Sequence, residues 1–132
     1  MIPYGRQSVT KVDIDAVVKV LESDYLTQGP VVPNFEAAVA QACRAEHAVA
    51  VNSATSALHL ACLALGVGVG DVVWTTPTTF VSSANCARFC GAEVDFVDIN
   101  PDTWCLSAIR LEEKLHSHQE KGLPLPMVVI PV

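Results

Sequence analysis

Aromatic residues and positive charge are both scarce in this chain. Only 6% of its residues are aromatic, and 8 Lys and Arg stand against 14 Asp and Glu, a net charge of −6. That balance lacks the basic stripe a nucleic-acid surface requires, so no nucleic-acid partner is expected. No apolar run of 18 residues occurs, so no helical membrane span is expected. The opening MIPYGRQSVTKVD has no apolar signal core, and a cytoplasmic location is expected. Cys-x-x-Cys, Gly-Lys-Ser/Thr and a Gly-x-Gly-x-x-Gly turn after a strand are all absent. A thiol redox pair, a P-loop and a dinucleotide-binding turn therefore have no support. Cys43, Cys62, Cys86, Cys90 and Cys105 are an odd set, mostly flanked by Ala and other apolar residues, and read as reduced core residues. His47, His59, His116 and His118 offer no metal-ligand spacing; His116 and His118, two apart, do not share a helical face.

What is present is apolar mass, 51% of residues, mostly Ala, Val and Leu. A chain of 132 residues suits one domain and should bury about two-thirds of its unfolded surface. Thr10 to Asp13 resembles a capping box, and Ile14, Val17, Val18 and Leu21 behind it repeat at helical spacing, to about Ser23. DYLTQGPVVP is a loop. A second helix is expected from about Pro33, burying Phe35, Val39, Ala42 and Cys43.

Strands and helices then alternate. AVAV (48–51), VVWTTP (72–77), AEVDFVDI (92–99) and MVVIPV (127–132) read as strands. Residues 54–65, 80–91 and 107–121 read as helices. The first of these carries Leu58, Ala61, Cys62 and Leu65 on one face and Leu60, Leu63 and Ala64 on the other, so deep burial is expected. The last is polar, with Ile109, Leu111, Leu115 and His116 as its apolar side. Such alternation predicts a mainly parallel sheet covered by helices, whose ligands bind at the strands' carboxyl ends. Three junctions qualify: Asn52–Ser56, Thr75–Phe80 and Asp98–Thr103.

At the first junction, Ser53, Ala54, Thr55 and Ser56 open a helix with hydroxyls, small side chains and free backbone N–H groups. A phosphate fits there; Ser53 as a plain N-cap with nothing bound explains the same residues. At the second, Phe80 stands just past a strand end, either stacked on a planar heterocycle or packed in the core. Taken together, the two point to a phosphorylated flat ring.

The segments IPYGRQSVTKVDIDAVVKVLESDYLTQGPVVPNFEAAVA, NSATSALHLACLALGVGVGD, TTPTTFVSSAN and VDFVDINPDTW resemble the DegT/DnrJ/EryC1/StrS family of pyridoxal-phosphate-dependent sugar aminotransferases. The resemblance spans the whole chain. It implies a partial three-layer αβα large domain of a fold-type I, aspartate aminotransferase-like transferase. Residues 1–33 would be an N-terminal arm, helix and loop, and 34–132 part of the α/β sheet domain. It implies that Ala54 and Thr55 bind the phosphate of pyridoxal 5'-phosphate, that Ser56 supports the turn, and that Phe80 stacks on the pyridine ring. Tyr4, Asp24, Tyr25, Leu26 and Thr27 match a region that contacts the nucleotide sugar; an arm and a surface turn are the plainer explanation of the same stretch. The implied reaction moves an amino group from glutamate to the C4 keto group of a UDP-linked 4-keto-6-deoxy amino sugar, in a homodimer. A dTDP- or GDP-linked keto sugar, or a non-catalytic binding module, are the alternatives.

The family's chemistry also calls for a Schiff-base lysine and an acid against the pyridine nitrogen, from segments not matched here. Lys11, Lys19, Lys114 and Lys121 all read as solvated, and Asp98 as a turn former before Asn100 and Pro101. This chain is thus expected to be an N-terminal portion, inactive alone. The resemblance puts AVAV at the far edge of a larger sheet, so it should stay unpaired or find another partner. MVVIPV should be an exposed apolar edge.

Overall fold

The structure, a computed structural model, describes residues 5–132. They form two compact units, one ending at Ala50 and the other running Val51–Val132.

The first unit holds helices α1 (Lys11–Leu21) and α2 (Val31–Cys43). Thr10 closes the expected capping box on α1: its N–H and hydroxyl donate to Asp13 Oδ2 at 2.6 and 2.7 Å, and its Oγ1 accepts from the Asp13 N–H. The Thr10 N–H, then its hydroxyl, holds the Asp13 carboxyl below its ordinary range. Helix α2 starts two residues ahead of Pro33, because Pro30 already holds helical angles at the N-cap. It ends on Arg44 in the left-handed region, φ 53°, whose N–H reaches back to Ala40 O and Gln41 O. The expected burial of this helix is corrected. Phe35, Ala42 and Cys43 are exposed, Val39 is half-buried, and only Ala40 is buried. Two short helices have too much surface for their volume to enclose a row of side chains. Residues 48–51 form no strand; the Ala50 N–H instead donates to Glu36 Oε1 at 2.8 Å. A strand needs a neighbour, and among the described residues the other three pair only with one another.

The second unit runs α3 (Ala54–Ala64), β1 (Val72–Thr75), α4 (Ser82–Phe89), β2 (Glu93–Phe96), α5 (Ala108–Glu120) and β3 (Val128–Ile130). Its strands lie in the order β2-β1-β3, all parallel, with Trp74 opposite Asp95 and Val129. This order leaves β3, the MVVIPV strand, at an edge, as expected.

Alternation along β1 divides the sheet into two faces. On one, Val73, Val94, Val128 and Ile130 pack with Cys62 of α3 and Cys86 and Ala87 of α4. On the other, Trp74 lies under His118 and Lys114 of α5. Helices on both faces make the three layers. The two helices of the first face approach closely because Cys and Ala sit where they meet. Burying Val73 completely stabilises the fold by about 1.5–3 kcal/mol. Burial of α3 is shallower than expected: Cys62 is buried and Leu58 half-buried, while Leu60, Ala61, Leu63 and Leu65 are exposed. One sheet face covers only one side of a helix, and no described layer covers the other. On α5, Leu111 and Leu115 are half-buried, but Ile109 and His116 are exposed. At the α4–β2 turn, Gly91 has φ +81°, and an added Cβ would stand 2.9 Å from Val69 Cγ2. The angle favours glycine there, while the exposed Val69 methyl can give way.

Candidate functional site

The carboxyl end of β1 and the starts of α3 and α4 form a polar corner. Ser53 is extended and caps α3, its Oγ accepting the Ser56 N–H at 3.2 Å. The Ser56 hydroxyl donates to Asn52 Oδ1 at 2.7 Å, which ties the turn to the residue before it. The N–H groups of Ala54 and Thr55 have no acceptor among the described residues. They are the first two donors of an 11-residue helix, at its positive end.

Thr55 reaches across to α4, where its Oγ1 lies 2.6 Å from Ser82 Oγ. Ser82 is 5% exposed and opens α4 two residues after Phe80. Phe80 itself is 75% exposed, so its ring is not the core residue that one reading of the sequence allowed. Thr79 and Ser83 pair at 2.8 Å, and the Thr75 hydroxyl donates to Ile130 O at 3.0 Å. Thr75, Thr76, Ser82 and Ser83 are all buried. Hydroxyls therefore fill the space between the end of β1 and the start of α4. Ser82 was not singled out from the sequence. The signal was there in SSAN, a helix start with two small polar residues, but only the fold shows which hydroxyl it meets.

Of the expected site residues, Ala54, Thr55, Ser56 and Phe80 all belong to the second unit. Asp24, Tyr25, Leu26 and Thr27 lie in the first, as an exposed loop after α1. The Ser23 hydroxyl shapes that loop by donating to Val20 O at 2.8 Å, and Ser23 Oγ accepts the Tyr25 N–H at 3.3 Å. Gly29 allows the chain to fold back on Tyr25, since a Cβ there would stand 2.7 Å from Tyr25 Cβ. Tyr4 lies outside the described residues.

One lysine departs from expectation. Lys114 is not solvated: its side chain is 20% exposed, its Nζ donates to Asp95 Oδ2 at 2.6 Å and Phe96 O at 2.7 Å, and it stands 4.6 Å from the Trp74 ring centroid. Burial pushes the Asp95 carboxyl upward, but the hydrogen bonds from Lys114 and the Phe96 N–H, with the charges of Lys114 and His118, outweigh it and hold Asp95 below its ordinary range. The sequence hid this because α5 is polar overall. Lys114 lies on the α5 face of the sheet, opposite the face on which α3 and α4 pack. Asp98 behaves as the expected turn former, its carbonyl accepting the Ser107 N–H at 3.1 Å ahead of a turn organised by Asn100. That turn borders a groove of about 570 Å³, with Trp104 and Arg110 in its wall. The groove is lined by residues 98–113 and includes none of 54–56 or Phe80.

The parallel sheet with helices on both faces is the expected α/β architecture, and at its carboxyl end it carries a small-residue helix start with free donors and an exposed aromatic ring. The chain belongs to the DegT/DnrJ/EryC1/StrS aminotransferase family, whose profile it matches over residues 7–132. It is 47% identical, over 102 residues, to the UDP-4-amino-4,6-dideoxy-N-acetyl-beta-L-altrosamine transaminase of Campylobacter jejuni subsp. jejuni serotype O:23/36 (strain 81-176). That match covers 77% of this chain and 27% of the relative. Among solved structures, a DegT DnrJ EryC1 StrS aminotransferase from Brucella abortus superposes with a TM-score of 0.81 at 30% identity, covering 89% of this chain and 32% of that one. Spr1654 from Streptococcus pneumoniae, solved in a PLP form, gives 0.79 at 33%, covering 85% and 29%. The chain thus spans about a quarter to a third of the length of the relatives it matches.

Proposed function

We propose that this chain is the cofactor-phosphate-binding part of an aminotransferase that moves an amino group from glutamate to the C4 keto group of a UDP-linked 4-keto-6-deoxy amino sugar. The observation that carries the reading is the α3 corner. Two unpaired N–H groups, a threonine hydroxyl and no bulky side chain suit a phosphate dianion, and an exposed aromatic ring follows at the next strand end. The residues fit pyridoxal 5'-phosphate. The cofactor, when bound, supplies an electron sink for bonds at the amine-bearing carbon.

The chain's own residues bind and orient. The Ala54 and Thr55 N–H groups and the Thr55 hydroxyl hold the phosphate. Ser56 keeps the turn closed through Asn52 and Ser53. The Phe80 face sets the plane of the ring. Tyr4, Asp24, Tyr25, Leu26 and Thr27 contact the nucleotide sugar. Proton movement at the substrate carbon needs an amine. Lys11 is paired with Asp15 at 2.6 Å, Lys114 is held by Asp95, and Lys19 and Lys121 are on exposed helix ends, so none of the four serves. The chain by itself is therefore inactive, and the working enzyme is a homodimer that includes further sequence.

The identity to the altrosamine transaminase supports the choice of substrate class, and a chimera tests it. The chain replaces the corresponding segment of the Campylobacter enzyme, and transfer of label from isotopically labelled glutamate is followed on UDP-, dTDP- and GDP-linked 4-keto sugars. Transfer to the UDP-linked sugar alone is expected. A soluble chimera that prefers a dTDP or GDP sugar refutes the substrate assignment.

A further inference from the structure

The 2.6 Å contact between Thr55 Oγ1 and Ser82 Oγ has a direction that matters. Each hydroxyl carries a single proton. If Thr55 donates to Ser82, it has no proton left for a ligand at the α3 start. If Ser82 donates to Thr55, the Thr55 proton is free to point at an acceptor beside the Ala54 and Thr55 N–H groups. No other acceptor for either hydroxyl exists among the described residues, and Ser82 is buried at 5% exposure, so water does not compete freely for its proton.

We infer that Ser82 is a positioning residue: its hydroxyl donates to Thr55 and turns the Thr55 proton toward the phosphate. This rests on the reading of the α3 corner as a phosphate seat. A phosphate has only acceptor oxygens for the Thr55 hydroxyl to meet, so its arrival selects the Ser82-to-Thr55 direction. The two bonds in series then polarise each other. The same contact links the phosphate seat to the segment carrying Phe80, two residues before Ser82. Loss of the Ser82 hydroxyl leaves the Thr55 proton free to rotate, without removing any atom that touches the ligand.

The test is a double-mutant cycle on the whole chain, reading the affinity for pyridoxal 5'-phosphate and, separately, for pyridoxal, which lacks the phosphate. Ser82→Ala is expected to weaken the phosphorylated ligand by about threefold to tenfold and to leave pyridoxal unchanged. In a Thr55→Val background the same substitution should have no further effect. An equal loss from Ser82→Ala in both backgrounds, an equal loss for pyridoxal, or no loss at all overturns the positioning role. If Thr55→Val itself leaves affinity unchanged, or the chain binds no pyridoxal 5'-phosphate, the phosphate seat fails and this inference fails with it.

Discussion

The two faces of the sheet are closed by opposite means. Against α3 and α4 the contact is made by small residues, Cys62, Cys86, Ala87 and Val73, with paired hydroxyls at the strand's carboxyl end. Against α5 it is made by one large residue, Trp74, fully buried, with the His118 ring centroid 4.8 Å from its own in an edge-on arrangement and the Lys114–Asp95 pair beside it. Small residues bring two helix starts close enough for their hydroxyls to bond, which is what the proposed phosphate seat needs. A tryptophan and an ion pair hold a helix at a distance and leave no such corner. The proposed phosphate seat lies on the first kind of face.

The largest effects should come from breaking each face by its own weakness. Trp74→Ala removes the bulk of the α5 contact and should cost about 3–5 kcal/mol. Ala87→Leu forces a larger side chain between α4 and the sheet and should cost about 1–3 kcal/mol. Denaturant unfolding checks both. A tryptophan deletion no worse than the alanine enlargement would mean that the α5 face is not held as described.

A smaller effect concerns the ion pair. Lys114→Met keeps the aliphatic contact with Trp74 and removes the charge. Asp95 is about half-exposed, so after solvent screening the loss at neutral pH should be about 1 kcal/mol or less. The sign follows from the depressed Asp95 carboxyl. A group whose folded pKa lies below its unfolded value, about 3.9 for Asp, stabilises above that value. Its contribution is lost as the pH falls through the folded value. The difference between wild type and Lys114→Met should therefore shrink below about pH 4. A difference that grows in acid would contradict the pairing.

The faces also differ in how legible they were. Capping at Thr10, the helix starts at Ser53 and Ser107, and the three paired strands follow from local pattern: a cap residue, a 3.6-residue apolar period, a β-branched run. Burial was less legible. Phe35, Leu60 and Leu63 look like core residues by spacing, but burial depends on a second layer, and spacing along one element carries no information about what lies across from it. Strand 48–51 failed for the same reason, because a strand exists only through a neighbour. Lys114 was misread because composition describes a helix, whereas its environment depends on which two residues face the sheet. The helix start at Ala54, Thr55 and Ser56 was legible, since small residues after a cap have local meaning, and so was the place of Phe80 just past the end of β1. Ser82 was not, because the hydroxyl it meets belongs to a residue 27 positions away.

The most direct measurement is a titration of the chain with pyridoxal 5'-phosphate, comparing wild type with Ala54→Pro. Proline suits the first position of a helix, and the extended Ser53, φ −162° and ψ 157°, suits the residue before a proline. The substitution thus removes one N–H from the proposed seat and little else, and the thermal transition should be unchanged. A charged hydrogen bond lost from the ligand should weaken binding by about tenfold or more. Unchanged affinity in a variant that folds as wild type does would show that the start of α3 does not hold the phosphate.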